Sequence, residues 1–344
     1  MCELLGLCFN QPVRPRISFR AFRRRGEYNP DGWGLAFYPG KSALVLKEPL
    51  KSMDSPLSAF VQEYSYIRSK IFVAHVRHAS VGPTGYDNTH PFSRELNGRE
   101  YVFAHNGTLR RNFKKRLKLG RFKPLGGTDS EHVFCHLLSE IEERELESWS
   151  VVDFQWLHEK FKEINMHGTF NCLMSDGEHL FAYHDIGGYN GLHYVRREAP
   201  FGPIILIDED FEINFAGEKD PSQRGYIIAT QPLTNEGWQC FNPGELIVFR
   251  DGEIVYPLDR ELSKLEIEIL RVVRGSPHRM SLRAIIDYIG YDKSEIRSAI
   301  KSLLEKRYLR QDRRDKVSWD DDDATFFTEP RKREIIDKIL RRGI

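Results

Sequence analysis

Cysteine is scarce in this chain and shows no pairing pattern. The five cysteines (Cys2, Cys8, Cys135, Cys172 and Cys240) among 344 residues are odd in number and scattered, with no Cys-x-x-Cys and no metal-ligand spacing. This argues against a disulfide framework and against a zinc site, and it fits a reducing cytosol. An excess of charge of one sign is also missing. Lys and Arg number 51 against 50 Asp and Glu, a formal net of +1, so nothing draws the whole chain toward nucleic acid or a membrane. No apolar run approaches the ~20 residues of a transmembrane helix. The N-terminus lacks the basic, apolar and small-residue zones of a signal peptide. A cytoplasmic protein with no membrane partner is expected.

What is present is an ordinary globular composition, 40% hydrophobic and 29% charged, over a length that suits about two domains. From residue 1 to about 258 the dominant signal is strand. "LLGLCF", "GWGLAFY", "ALVLKEP", "KIFVAHV" and "EYVFAHNG" are short β-branched or aromatic runs ended by Gly, Pro, Asn or Asp. Cys8, Cys135 and Cys172 lie inside apolar segments and read as small buried hydrophobes. Two helical patterns follow the first strands. "TDSEHVFCHLLSEIEE" begins with an N-cap signal, Thr128 and then Glu131, and "SVVDFQWLHEKFKEI" repeats its style. Strands return in "FNCLMSDGEHLFAYHD" and "ELIVFRDGEIVY", two hairpins with Asp-Gly as the turn pair. The fold class is α+β, with helices covering the outer sides of sheets.

After about Leu258 the texture changes. "LSKLEIEILRVVRG", "SLRAIIDYIG" and "DKSEIRSAIKSLLEKRYL" are three amphipathic helices, and "RQDRRDKVSWDDDD" is a β-wing or a loop. The pattern is that of a small, mainly helical winged-helix-like domain over 259–344, beside a first domain over 1–258. The acidic run Asp320–Asp323 reads as solvated loop.

Several residues carry chemistry. Methionine aminopeptidase removes Met before a small side chain, so the mature chain can begin at Cys2, which then holds a thiol and a free α-amine. An α-amine titrates near ~7.7–8.0 and serves as a base at neutral pH. Arg77 ends an apolar strand in "FVAHVRHAS", where a lone Arg is ordinarily a surface ion-pair partner. "DNTHPF" is a turn-like loop holding Asn88 and His90. In "FAHNGTL", Asn106-Gly107 is either a strand-ending turn or a two-donor oxyanion hole. Asp129 in "GGTDSEH" stands in the first turn of a helix, where an acid is favourable anyway. The glycine-rich "DGWG" (Asp31 to Gly34) either shapes the backbone near the nucleophile or marks strand-end turns.

Taken in order, "MCELLG", "NPDGWGLAFY", "VAHVRHAS", "NTHPF", "FAHNGTL" and "GTDSEH" resemble the motifs of the class II glutamine amidotransferases, which are N-terminal nucleophile (Ntn) hydrolases. The similarity is to the stand-alone YafJ-type branch and spans roughly residues 2–258. It implies a four-layer αββα sandwich and no metal or organic cofactor. Cys2 would attack the side-chain amide of glutamine or another γ-glutamyl compound. Asn106 and the Gly107 N–H would hold the oxyanion, Arg77 the substrate α-carboxylate and Asp129 its α-ammonium. Ser80 and His90 would contribute to substrate binding. This chain has His78-Ala79-Ser80 where many members of the wider family carry Trp-Ala-Thr, and Ser80 keeps the hydroxyl.

Within this reading the protein is either a simple γ-glutamyl hydrolase or a glutaminase that hands ammonia to a separate synthetase. The alternative is a regulatory protein that senses glutamine and binds DNA or a protein through its C-terminal domain. Lys293, Arg297 and Lys301 would form a basic stripe on the third C-terminal helix. Residues 259–344 carry 21 Lys and Arg against 17 Asp and Glu, so protein docking is preferred to DNA binding. Two basic clusters, Arg14 to Arg25 and Arg110 to Lys123, read as solvated faces or as a docking surface for an acidic partner.

Overall fold

Alternation along the first strand, β1 (Glu3–Val13), dictates the architecture of the N-terminal part. Leu4 and Cys8 enter one hydrophobic cluster, while Leu5, Leu7 and Phe9 enter another. A strand apolar on both faces belongs inside a layered sandwich. The computed structural model describes residues 1–110, 112–146, 148–209, 211–214, 220–257, 262–312, 314 and 316–341. The chain divides into two units, Met1–Tyr256 and Pro257–Ile344. The expected boundary at residues 258 and 259 lies outside the described residues.

Along the first unit follow β2 (Trp33–Phe37), β3 (Leu44–Glu48), β4 (Ser69–Val76), β5 (Phe92–Leu96), β6 (Arg99–Leu109) and β7 (Gly168–Ser175). Then come β8 (His179–Tyr183), β9 (His193–Arg197), β10 (Pro203–Leu206), β11 (Phe211–Asn214), β12 (Gly225–Ala229), β13 (Gln239–Cys240), β14 (Leu246–Arg250) and β15 (Glu253–Tyr256). One sheet has the order β13–β9–β12–β1–β4–β2–β3 and the other β15–β14–β8–β7–β6–β5, with β10 and β11 as a separate hairpin. The two sheets share a core of Leu4, Cys8, Val73, Val102, Ala104 and Leu173 among others. Helices α1 (Arg16–Arg24) and α2 (Pro56–Glu63) bury Phe19, Phe22 and Val61 against the outer face of the first sheet. Helices α3 (Asp129–Glu143) and α4 (Val151–Asn165) bury Phe134, Leu138, Leu157 and Phe161 against the second. The layers are αββα.

Both expected hairpins form. In the tighter one, β14 to β15, Asp251 and Gly252 both have positive φ (49° and 75°), as a two-residue turn matched to strand twist requires. The N-cap at Thr128 also forms, but the capping box is half made. Glu131 N–H donates to Thr128 Oγ1, whereas the Glu131 side chain turns away to Arg94 (2.6 Å) and the Gly126 N–H (2.7 Å). Helices α1 and α2 were not among the expected elements. The first is an arginine-rich stretch whose only apolar stripe is short, and a three-turn stripe is easily masked by charge.

The second unit holds α5 (Lys264–Gly275), β16 (Met280–Ser281), α6 (Leu282–Ile289), α7 (Lys293–Glu305), β17 (Leu309–Gln311), β18 (Thr325–Thr328) and α8 (Arg333–Arg341). Its strands pair in the order β16–β18–β17 around Ile269, Leu282, Ile296, Ile300, Leu303 and Phe326. Three helices, α5 to α7, with a small sheet make a winged helix, β17 and β18 flank the wing, and α8 is a fourth helix beyond the three expected.

Glu3 ties a stability prediction to the strand that carries Cys2. Burial pushes its carboxyl up from about 4.5 to about 7, Arg25 pulls it down, and Asp208 adds to the rise. Between those two values the folded state holds a proton that the unfolded state has released, so stability falls as pH rises through that window. Glu3→Gln removes the ionisation. Relative to wild type it is expected to gain on the order of 1–3 kcal/mol at pH 8 and nothing at pH 4. Thermal unfolding at the two pH values reads this directly, and an equal change at both would refute it.

Candidate active site

Three strand ends meet at one end of the sandwich. β1 and β4 are antiparallel neighbours with Glu3 opposite Val76, so Cys2 and Arg77 leave the sheet side by side. Parity directs both inward, because Leu4 on β1 and Val73 on β4 line the inter-sheet core. On the facing sheet Val102 and Ala104 line that core, and the next inward position of β6 is Asn106.

The Cys2 Sγ lies against the His78 backbone, accepting from its N–H at 3.1 Å and donating to its carbonyl at 3.2 Å. Burial pushes the thiol up, while the His78 hydrogen bond, the N-terminal ammonium and Arg77 pull it down. The Cys2 carbonyl oxygen accepts from two side-chain amides, Asn106 Nδ2 at 2.6 Å and Asn190 Nδ2 at 3.0 Å. The turn reading of Asn106-Gly107 is corrected. β6 continues to Leu109, with Asn106 opposite Asn171 and Gly107 opposite Phe170. Space demands glycine there, since a Cβ on Gly107 would stand 2.1 Å from the Thr169 carbonyl oxygen.

Arg77 is 3% exposed, and no carboxylate among the described residues pairs with it. Its guanidinium donates to three loop carbonyls, Val81 (3.1 Å), Gly82 (3.3 Å) and Pro83 (3.4 Å). Burial lowers its pKa, against the pull of Cys2 and Asp31. The "DGWG" segment packs against this loop, with the Arg77 N–H on the Gly32 carbonyl (2.8 Å) and the Ala79 N–H on Asp31 Oδ2 (2.8 Å).

Asp129 is 4% exposed at the start of α3. Its Oδ2 accepts the Leu109 N–H (2.7 Å) and its Oδ1 the Ser130 N–H (3.0 Å), and no cation among the described residues pairs with it. Asn88 stitches the two charged positions together. Its Nδ2 donates to the Pro83 carbonyl (3.0 Å), and its Oδ1 accepts the Gly127 N–H (2.8 Å) just before the α3 cap.

Ser80 is exposed and shares a 3.0 Å hydrogen bond with Thr108, bridging the loop after β4 to β6. His90 has no hydrogen bond to Cys2, Arg77, Asn106 or Asp129 among the described residues. Its ring is buried against His75 (4.3 Å between centroids) and Phe92 (4.6 Å), and neither ring nitrogen has a hydrogen-bond partner among the described residues. Burial holds it neutral, well below the usual histidine range.

Asn190 escaped the sequence reading. It stands 188 residues from Cys2 in "GGYNG", which looks like any turn, and it has positive φ (57°). Buried Asp185 fixes its loop by accepting the N–H groups of Gly187 (2.8 Å) and Tyr189 (3.2 Å). His105 was missed as well. It faces outward from β6 and joins Ser130 of α3 at 2.8 Å.

The two basic clusters differ. Arg16, Arg20 and Arg25 pair with Glu63 (3.4 Å), Glu209 (2.7 Å) and Asp208 (2.7 Å), and Arg24 also pairs with Glu209. That cluster is partly neutralised: Arg20 and Arg24 share Glu209, while Arg14 donates to the Glu63 carbonyl and Arg23 to the Ser52 and Met53 carbonyls. In the other, Arg121 pairs with Glu142 (2.6 Å), whereas Arg110, Lys114, Lys115, Arg116 and Lys118 are exposed without an acidic partner among the described residues. Arg111 lies outside the described residues. Among the described residues no group of three or more His, Cys, Asp or Glu is placed to hold a metal ion. No described helix is long and apolar enough to cross a membrane.

Residues 1–268 match the family model of the class II glutamine amidotransferases. This chain belongs to that family. Residues 262–319 match a second model, a winged helix DNA-binding domain. An uncharacterized protein of Methanocaldococcus jannaschii is 49% identical over 99% of this amidotransferase and 97% of its own length. YafJ of Escherichia coli is 42% identical over 74% of this chain and all of its own. A solved structure of a predicted glutamine amidotransferase from Pseudomonas aeruginosa is 34% identical, with a TM-score of 0.55, covering 74% of this chain and 99% of that one. The Ntn-type sandwich and the appended winged helix are thus features of a class II amidotransferase of the YafJ type.

Proposed function

We propose that the protein hydrolyses the side-chain amide of glutamine, or the γ-glutamyl bond of a related compound, through an acyl-enzyme on Cys2. The observation that carries this reading is the pair of buried opposite charges, Arg77 and Asp129, each without an ion-pair partner among the described residues and both linked through Asn88. A buried charge without a partner is costly. A zwitterionic amino acid relieves both at once, its carboxylate on the guanidinium and its ammonium on the aspartate.

The chemistry then follows from the neighbours of Cys2. Its α-amine, freed by loss of Met1, takes the thiol proton as Sγ attacks the amide carbon. Asn106 Nδ2 and the Gly107 N–H hold the oxyanion, while Asn190 keeps the Cys2 carbonyl that Asn106 releases. Collapse expels ammonia or an amine, which takes the proton from the α-amine. Water then cleaves the thioester to give glutamate and the free thiol. Ser80, bonded to Thr108, borders the substrate, and His90 supports the loop from behind. Five free cysteines suit a cytoplasmic setting.

The test is glutamate release from glutamine and from γ-glutamyl dipeptides by the purified chain. No release from any of them rejects the reading. Arg77→Lys should raise KM for glutamine about 10–100-fold with a smaller effect on kcat, because an ammonium cannot grip a carboxylate with two parallel bonds. An unchanged KM would remove Arg77 from substrate binding.

The winged-helix match supports a second reading, a glutamine sensor that binds DNA. Charge weighs against it. In the expected basic stripe Arg297 is paired with Asp322 (2.8 Å), and Asp320 to Asp323 crowd the wing beside it. A phosphate backbone would meet carboxylates there, so a protein partner, such as an ammonia-accepting synthetase, suits this unit better. Duplex binding that weakens steeply with salt would reverse that preference.

A further inference from the structure

A cavity of about 190 Å³ opens between β3 and β5, the edge strands of the two sheets. For scale, a cavity of about 150 Å³ holds a benzene molecule. Its charged groups come from every element around it: Lys47 on β3, Arg94 on β5, Asp87 in the connecting loop and Glu131 on α3. Arg94 and Glu131 neutralise each other at 2.6 Å, and the second Glu131 oxygen accepts the Gly126 N–H.

Lys47 and Asp87 remain. The Lys47 ammonium is half-buried over the rings of Tyr86 (4.8 Å) and Phe92 (5.2 Å) and donates to the Thr89 carbonyl (2.7 Å). Among the described residues its other two N–H bonds have no acceptor and no carboxylate lies within ion-pair distance. Burial lowers this amine to about 8, because desolvation outweighs the attraction of Glu131 and Asp87. The Asp87 carboxylate is exposed and also unpaired among the described residues. Two opposite charges thus line one small cavity, too far apart to join each other, with Phe92 and exposed Leu125 as an apolar floor and rim.

We propose that this cavity binds a small α-amino acid with an apolar side chain, its carboxylate on Lys47, its ammonium on Asp87 and its side chain against Phe92 and Leu125. The ligand supplies the counter-charge that the half-buried ammonium lacks. Occupation reaches the catalytic end through one loop. Tyr86, Asp87 and Thr89 belong to the segment whose Val81–Pro83 carbonyls hold Arg77, and Asn88 ties that segment to the start of α3. The bound amino acid therefore changes the affinity for glutamine, a consequence that rests on the function proposed above.

The test is saturation-transfer NMR with L-leucine, L-methionine and L-phenylalanine on wild type, Lys47→Met and Asp87→Asn, paired with glutamine kinetics in the presence of each amino acid. At least one should bind saturably to wild type and at least 10-fold more weakly to both variants, with isoamylamine and 4-methylpentanoate binding wild type at least 10-fold more weakly than leucine. The same amino acid should shift the KM for glutamine in wild type and leave it unchanged in variants that keep the wild-type kcat. No saturable binding, or equal binding by the variants, overturns the site. Glutamate release without amino-acid binding defeats this inference alone. Binding at Lys47 without any glutamate release keeps the site and defeats the amidase reading.

Discussion

Replacement of Cys2 by alanine is expected to abolish measurable glutamate release. Loss of the nucleophile in a comparable acyl-transfer site costs on the order of 10⁶ in kcat. The geometry gives the substitution little else to disturb, since Cys2 lies at the strand end and its Sγ hydrogen-bonds, among the described residues, only to the His78 backbone. The stability of Cys2→Ala should therefore match wild type, which separates lost chemistry from lost fold. The same argument makes activity depend on removal of Met1. While Met1 is attached the Cys2 nitrogen is an amide and accepts no proton, and Met1 is 63% exposed, open to an aminopeptidase. Intact mass and activity should track each other across preparations. A Cys2→Ala chain that turns over at the wild-type rate would end the acyl-enzyme reading.

Asn106→Ala carries the second large effect, a loss of about 10²–10³ in kcat with KM close to wild type. The donor serves charge that develops only in the transition state, so ground-state binding is spared. In this structure Asn106 Nδ2 rests on the Cys2 carbonyl at 2.6 Å, and Asn190 reaches the same oxygen at 3.0 Å. A carbonyl oxygen has two lone pairs, so Asn190 retains it when Asn106 turns to the oxyanion. Gly107 is the poorer target, because any side chain collides with the Thr169 carbonyl and disturbs β6 along with the donor. The decisive measurement is steady-state kinetics of Asn106→Ala beside its melting curve. A kcat within twofold of wild type would take Asn106 out of the oxyanion hole.

Much of the frame was legible because its signals are local. The short β-branched and aromatic runs "KIFVAHV" and "EYVFAHNG" report buried strands, and both appear as β4 and β6. The caps at Thr128 and Ser150 announce α3 and α4. The chemistry was legible only as a string of motifs. Cys2, Arg77, Asn106 and Asp129 are each unremarkable alone, and their order along the chain made the resemblance. Asn190 stayed hidden because an Asn-Gly pair after glycines is indistinguishable from a surface turn. His90 shares a motif with the site, yet its ring packs against His75 and Phe92.

Periodicity and capping act over a few residues, so the sequence by itself determined the main strands, the helices α3 to α7, the α+β class, the change of texture into a winged helix and the candidate nucleophile. Charge neutralisation and hydrogen-bond convergence depend on partners far apart in the chain, so tertiary structure alone decided them. It paired Arg16, Arg20, Arg24 and Arg25 of the Arg14–Arg25 cluster with Glu63, Glu209 and Asp208 and left the cations near Arg116 without acidic partners among the described residues. It paired Arg297 with Asp322, brought Asn190 to the carbonyl of Cys2, and left Arg77, Asp129 and Lys47 without counter-charges among the described residues. A side chain's charge is written in the sequence, but whether that charge is already satisfied depends on distance in space.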